Sequence, residues 1–197
     1  MSTLRQLIAT DPSKPYYLTA APQCPRPDRS ILVPELLSDI DFFSVQFYNN
    51  PSCQLNAGQD FLDSLQAWSS DLAAGASSSK STSKRRSSFT SRIRPRLHKT
   101  RRQPGTGASF NVINNGITAP RLLIGTPAFA AAGSGFVSVS DYKIILEQVK
   151  AMALPNLAGA MFWDGAYLER SGQPVPGVGN SVNVTYAEVV RDVLSPS

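Results

Sequence analysis

Between Phe42 and Cys53 the chain reads Phe-Phe-Ser-Val-Gln-Phe-Tyr-Asn-Asn-Pro-Ser-Cys, and this stretch constrains the fold more than any other. Its apolar residues run up to a polar tip, the pattern of a strand buried on both faces that ends in a loop. Asn49-Asn50-Pro51 stops it, because proline cannot donate to a ladder and asparagine favours turns. Gln46 and Tyr48 therefore stand at the C-terminal end of a buried strand. In a parallel sheet, that end is where ligands bind.

Three further segments read as strands. Tyr16 to Ala21 is aromatic and β-branched early and small at its end, Arg121 to Thr126 is an apolar run stopped by Pro127, and Leu157 to Asp164 closes the set. Helices are predicted between them. Residues 2 to 10 are a short one, and Ile31 to Leu37 is a short helix or turn. Gln59 to Leu72 is amphipathic, with Phe61, Leu65, Trp68 and Leu72 on one face. Ser140 is expected to cap a helix running to about Met152, and Val184 to Leu194 closes the chain. Strand and helix thus alternate four times, which predicts a parallel α/β arrangement. Four units are half of an eight-unit barrel, and an open doubly wound sheet fits nearly as well.

The net charge of +5 comes from one place. Residues 80 to 102 hold ten of the nineteen Lys and Arg and no acid, leaving nine basic residues against fourteen acidic ones elsewhere. Residues 73 to 108 are therefore read as a basic, Ser- and Arg-rich disordered insertion. It separates a segment over 1 to 72 from one over 109 to 197, with Phe110 to Asn115 resuming the interrupted helix or its loop. Phe89 is the one aromatic among these basic residues, so nucleic acid is not the expected partner, although a basic arm that binds it is a rival reading. No run of eighteen apolar residues is present, so no membrane-spanning helix is expected. The first ten residues lack the apolar core of a signal peptide and look like a helix entered in mid-course.

The polar residues divide by position. Gln46, Tyr48 and Asn49 either satisfy loop backbone or bind a neutral sugar or amide through a phenol and carboxamides. Trp163 offers a flat face for stacking on a pyranose, or is a core residue, and Asp164 beside it starts a turn. Asp39 and Asp41 alternate like a carboxylate pair but precede their strand, at the wrong end of the sheet for catalysis. His98 is the one histidine and lies in the basic segment, so no histidine triad, metal site or cofactor is expected. Gly133-Ser134-Gly135 is too short for a phosphate fingerprint. Cys24 and Cys53 leave a disulfide and two buried thiols equally open from spacing alone. Asn183-Val184-Thr185 is an N-glycosylation triplet, which matters only in a secreted chain.

Taken together, YYLTAAPQCPRPD, FFSVQFYNNPSCQL, RLLIGTPAF with AAGSGFV, and GAMFWD resemble the second half of glycoside hydrolase family 18, in its plant and fungal class III chitinase branch. The likeness spans nearly the whole chain except residues 73 to 108. It implies a TIM-type (β/α)8 barrel of which these are strands five to eight, a Cys24–Cys53 disulfide, and secretion. It implies chitin or N-acetylglucosamine oligomers as ligand, cleaved in the family by attack of the substrate's own acetamido oxygen. Tyr48 would contact that acetamido group, Gln46 and Asn49 would line the subsite, Trp163 would floor the sugar, and Gln23 and Ala21 would be wall residues.

One departure from the family pattern is large. The DxxDxDxE motif that ends in the family's acid belongs on strand four, and no such motif occurs in this sequence. General acid catalysis worth roughly 10² to 10⁴ in rate would be missing. The expectation is a chain with no useful chitinase activity alone, with a non-catalytic sugar-binding relative as the alternative. Half a barrel would also expose sheet edges, which leaves open self-association that re-closes a barrel, aggregation, or a truncated gene model.

Overall fold

The computed structural model describes residues 2–79, 119–173 and 183–195. Helix α1 (Ser2–Ile8) leads into β1 (Thr19–Ala20), then α2 (Val33–Leu36), β2 (Phe42–Gln46), α3 (Gln59–Ser79), β3 (Arg121–Pro127), α4 (Val139–Ala151), β4 (Leu157–Trp163), α5 (Gly165–Arg170) and α6 (Tyr186–Leu194). The four strands form one parallel sheet in the order β1-β2-β3-β4. A doubly wound sheet reverses its order at a switch point. Strictly sequential order is that of a barrel arc, with every crossover turning the same way.

The outward face of the sheet carries the core. Phe43, Val45, Phe47, Leu122 and Ile124 are fully buried, as are Leu65 and Leu72 of α3 and Tyr142, Leu146 and Val149 of α4. Phe47 meets Phe61 edge to face at 5.1 Å, and Tyr142 meets Tyr186 likewise at 5.3 Å. The hydroxyls of Thr126 and Tyr142 lie 3.2 Å apart and satisfy each other within this layer. The opposite face is open. Phe42, Ser44 and Gln46 are half-buried, Leu123 and Met161 likewise, and Trp163 is 55% exposed. The expectation of a strand buried on both faces is thus corrected: β2 alternates, because helices cover only one side.

Strand β1 is shorter than the predicted Tyr16 to Ala21. The Leu18 amide donates to the carboxylate of Asp41 at 2.8 Å instead of to the backbone of β2, so the regular ladder starts only at Thr19. Asp41 also pairs with Arg5 at 2.6 Å, and Arg5 Nε donates to the Asp39 carbonyl at 2.8 Å. The Asp41 carboxylate and the Asp39 backbone carbonyl therefore anchor α1 at the far end of the sheet. Ser138, not Ser140, caps α4, its hydroxyl accepting from the Asp141 amide at 3.1 Å. Helix α3 runs seven residues past the predicted Leu72, through Ala-Ala-Gly-Ala-Ser-Ser-Ser, which corrects the expected disordered insertion at its first seven residues: three of them are alanine, the residue that costs a helix least. His98 and Phe110 to Asn115 lie outside the described residues, as does nearly all of the basic segment.

The mouth of β1 and β2 is covalently fixed. Cys24 and Cys53 form a disulfide across a sequence separation of 29. In the chain-entropy model, closing that loop stabilises the fold by about 3.5 kcal/mol. Asp28 holds the same loop by accepting from the amides of Gln23, Ser30 and Ile31.

Candidate active site

The site is a row of side chains along the C-terminal ends of the strands, on the open face. Register fixes the row: Gln46 pairs with Gly125 and Gly125 with Met161, while Pro127 pairs with Trp163 two positions further on. An isolated parallel bridge puts Gln23 beside Gln46. Strand alternation then brings Ala21, Gln23, Gln46, Tyr48, Met161 and Trp163 to one face. At Gly125 the sheet closes tightly, since a Cβ there would stand 2.5 Å from the Val45 carbonyl oxygen.

Tyr48 is buried to 7% exposure, and its hydroxyl has no hydrogen-bond partner among the described residues. Burial pushes its pKa above the ordinary phenol value, so the hydroxyl stays a neutral donor across the biological range. Gln46 Nε2 donates to the Ala21 carbonyl at 2.6 Å. Its carboxamide oxygen takes no hydrogen bond among the described residues. One end of Gln46 therefore satisfies loop backbone, the first of the two readings open for it.

Asn49 departs from the expected lining. It sits at φ 59°, its Oδ1 accepts from the Ser134 amide at 2.9 Å, and its own amide donates to the Ser134 carbonyl at 3.0 Å. A Cβ on Gly133 would stand 2.5 Å from that Oδ1. The Gly133-Ser134-Gly135 loop is thus built to dock on Asn49, and Asn49 is first a fastening between two loops. Its neighbour takes the inward position: Asn50 Nδ2 donates to the Tyr48 carbonyl at 3.0 Å and to Gln23 Oε1 at 3.3 Å.

Trp163 is followed by a cis peptide to Asp164, whose carboxylate caps α5 by accepting from the amides of Ala166 and Tyr167. Close by along the chain, Phe129 and Tyr167 stack with ring centroids 3.6 Å apart. No Asp or Glu stands on the open face of the four strands, and no cluster of metal-ligating residues occurs among the described residues.

The chain is 30% identical over 164 residues to Endochitinase 3 of Metarhizium anisopliae, covering 83% of this chain and 40% of that protein. It is 31% identical over 186 residues to Chitinase 1 of Candida albicans, covering 90% of this chain and 29% of that one. The chain belongs to glycoside hydrolase family 18. No protein-family model matches it. In structure, the xylanase and alpha-amylase inhibitor protein from Scadoxus multiflorus superposes with a TM-score of 0.55 at 20% identity, over 86% of this chain and 46% of that one. That likeness speaks for the fold alone, that of a TIM barrel. This family 18 chain spans about 40% of the length of its Metarhizium relative, and less of its Candida one.

Within the family 18 chain, Met161 on the row and Asn50, bonded to Gln23 and Tyr48, are the members that sequence reasoning missed. Met161 had a signal, since it lies two residues before Trp163 on a strand and so shares its face. Asn50 had none, because its place depends on how loops from different strands meet.

Proposed function

We propose that this chain is the acetamide-binding side of a chitinase site: strands five to eight of a family 18 barrel, binding N-acetylglucosamine oligomers in the row from Gln23 to Trp163. Tyr48 carries the reading. A buried phenol with an unpartnered hydroxyl, beside a glutamine with an unpartnered oxygen, matches the acceptor and donor of one acetamido group. The indole of Trp163 offers the apolar face that a sugar ring needs beside them. Tyr48 and Gln46 contact the acetamide, Trp163 floors the ring, and Gln23 and Ala21 form the wall, while Asn49 holds the neighbouring loop. Its relatives' names, endochitinase and chitinase, agree with this ligand.

The open face has no carboxylate, so this chain binds without hydrolysing. A proton for the leaving oxygen must come from an acid, and none of the described inward positions holds one. Titration calorimetry with N-acetylglucosamine trimers to hexamers tests both halves of the reading. Heat that saturates, with no reducing ends released, supports it; no heat with any oligomer sinks it.

Residues 1 to 79, through the end of α3, and 109 to 197 are two parts of this half-barrel, and the basic stretch over 80 to 108 is an insertion between them. The apolar members of the open face, Phe42, Leu123 and Met161, favour self-association over a bare monomer. Sedimentation equilibrium of the purified chain decides this, a concentration-independent monomer being the contrary result. The Cys24–Cys53 bond and the relatives favour an extracellular setting.

A further inference from the structure

One motif stands outside the sugar-binding row. The whole sequence contains two triplets of the form Asn-X-Ser/Thr, Asn50-Pro51-Ser52 and Asn183-Val184-Thr185. A middle proline disqualifies a triplet as an N-glycan acceptor. The disqualified one begins at Asn50, whose amide is wired to Gln23 and the Tyr48 carbonyl inside the candidate site. The permitted one begins at Asn183, which is exposed.

Asn183 lies on the rim. Tyr186 Oη donates to the Val137 carbonyl at 2.5 Å, and Val137 directly precedes the Ser138 cap of α4. The N-termini of α6 and α4 therefore sit together, at the end of the sheet that carries Tyr48 and Trp163. Backbone bonds between Gln173 and Val184, at 3.0 and 2.7 Å, fasten the triplet to the segment after α5. A Cβ added at Gly172 would come within 3.2 Å of the Asn183 Cβ. The disulfide is an independent pointer, because such bonds form in the oxidising compartments where N-glycans are attached.

We propose that Asn183 is an N-glycosylation site, filled before α6 folds. The order follows from Thr185. The triplet is read through its threonine hydroxyl, and in the fold that hydroxyl donates to Glu188 Oε2 at 3.0 Å and accepts from the Glu188 amide at 3.3 Å. In the transfer, the Asn183 amide nitrogen attacks the anomeric carbon of a lipid-diphosphate-linked oligosaccharide. The bond from that carbon to the diphosphate oxygen breaks, the lipid diphosphate leaves with the electron pair, and the amide proton passes to the transferase. The product carries a glycan beside the mouth of the row and none within it.

The test is expression of the full chain behind a cleavable secretory leader in yeast, with both medium and cell fractions digested by peptide-N-glycosidase in heavy-oxygen water. The expected result is a glycan removed by the enzyme, with residue 183 recovered as heavy-labelled aspartate. Asn183→Gln should abolish the mobility shift, Thr185→Ser should keep it, and Asn50→Gln should leave it unchanged. Because transfer precedes folding, chain retained in the cell answers as well as chain in the medium. An unmodified residue 183 in disulfide-bonded chain from both fractions would overturn the proposal, as would a shift that survives Asn183→Gln.

Discussion

The indole Nε1 of Trp68 donates to the carbonyl oxygen of Cys24 at 2.9 Å, in a buried position that joins the middle of α3 to the disulfide loop. Trp68→Phe removes that donor, leaves the carbonyl only the longer 3.4 Å bond from the Ser64 hydroxyl, and should cost about 1–3 kcal/mol, partly through lost volume. In urea melts the effect should be non-additive with loss of the disulfide, because both changes act on one loop. A double mutant whose losses simply add would show the two fastenings to be independent.

Gly125→Ala should be among the most damaging one-carbon changes in the chain. The new methyl would meet the Val45 carbonyl oxygen at 2.5 Å, a backbone atom that cannot rotate away. Overpacking of this kind costs roughly 1–3 kcal/mol. Gly165→Ala, with no atom within 4 Å of its Cβ, is the control and should melt close to the wild type.

Tyr48→Phe should keep the fold, since the ring packs while the hydroxyl bonds nothing in the described chain. Its effect belongs to ligand: about a 3- to 10-fold loss of N-acetylglucosamine-oligomer affinity, the value of one neutral hydrogen bond. Trp163→Ala should lose more and should lose it for every oligomer length. Unaltered calorimetric affinity in both variants would remove the row from sugar binding.

Stability should fall at both pH extremes for identifiable reasons. Glu188 closes the capping box of α6 by accepting from the Thr185 amide and hydroxyl, and these bonds hold its carboxyl below the ordinary value. Its contribution is present above the pKa of the unfolded chain and is lost as pH falls through the lower, folded value. Glu188→Gln should thus narrow the gap to wild type as acid is added. At the alkaline end, burial raises Tyr186 from 10.0 to about 12. Its stabilisation is full below pH 10 and disappears as pH rises to about 12, so Tyr186→Phe should flatten that limb while melting lower at neutral pH for want of the bond to Val137.

The strands were legible in the sequence because burial behind helices writes apolar runs, and Phe42 to Tyr48 and Arg121 to Pro127 both announce themselves. What could not be read was competition for single hydrogen bonds. The Asp41 carboxylate shortens β1 by taking the Leu18 amide, and two serines two residues apart compete to cap α4. The site was legible in part for the same reason. Residues on strands, Gln46 and Trp163, follow from alternation, whereas Asn49 and Asn50 exchange roles through a positive φ that no pattern of residue types reveals.

The sequential strand order also has a bearing on the basic stretch. Helix α3 starts at the mouth and travels back, and the described chain re-enters at Ala119, two residues before β3 begins at its lower end. Both junctions of that stretch therefore meet the sheet at the end opposite Tyr48 and Trp163, away from the proposed sugar row. Lengthening, trimming or recoding residues 80 to 118 leaves the register of Gln46, Gly125 and Met161 to be set by the strands themselves. Selection on sugar contact and selection on the basic stretch can proceed on separate accounts.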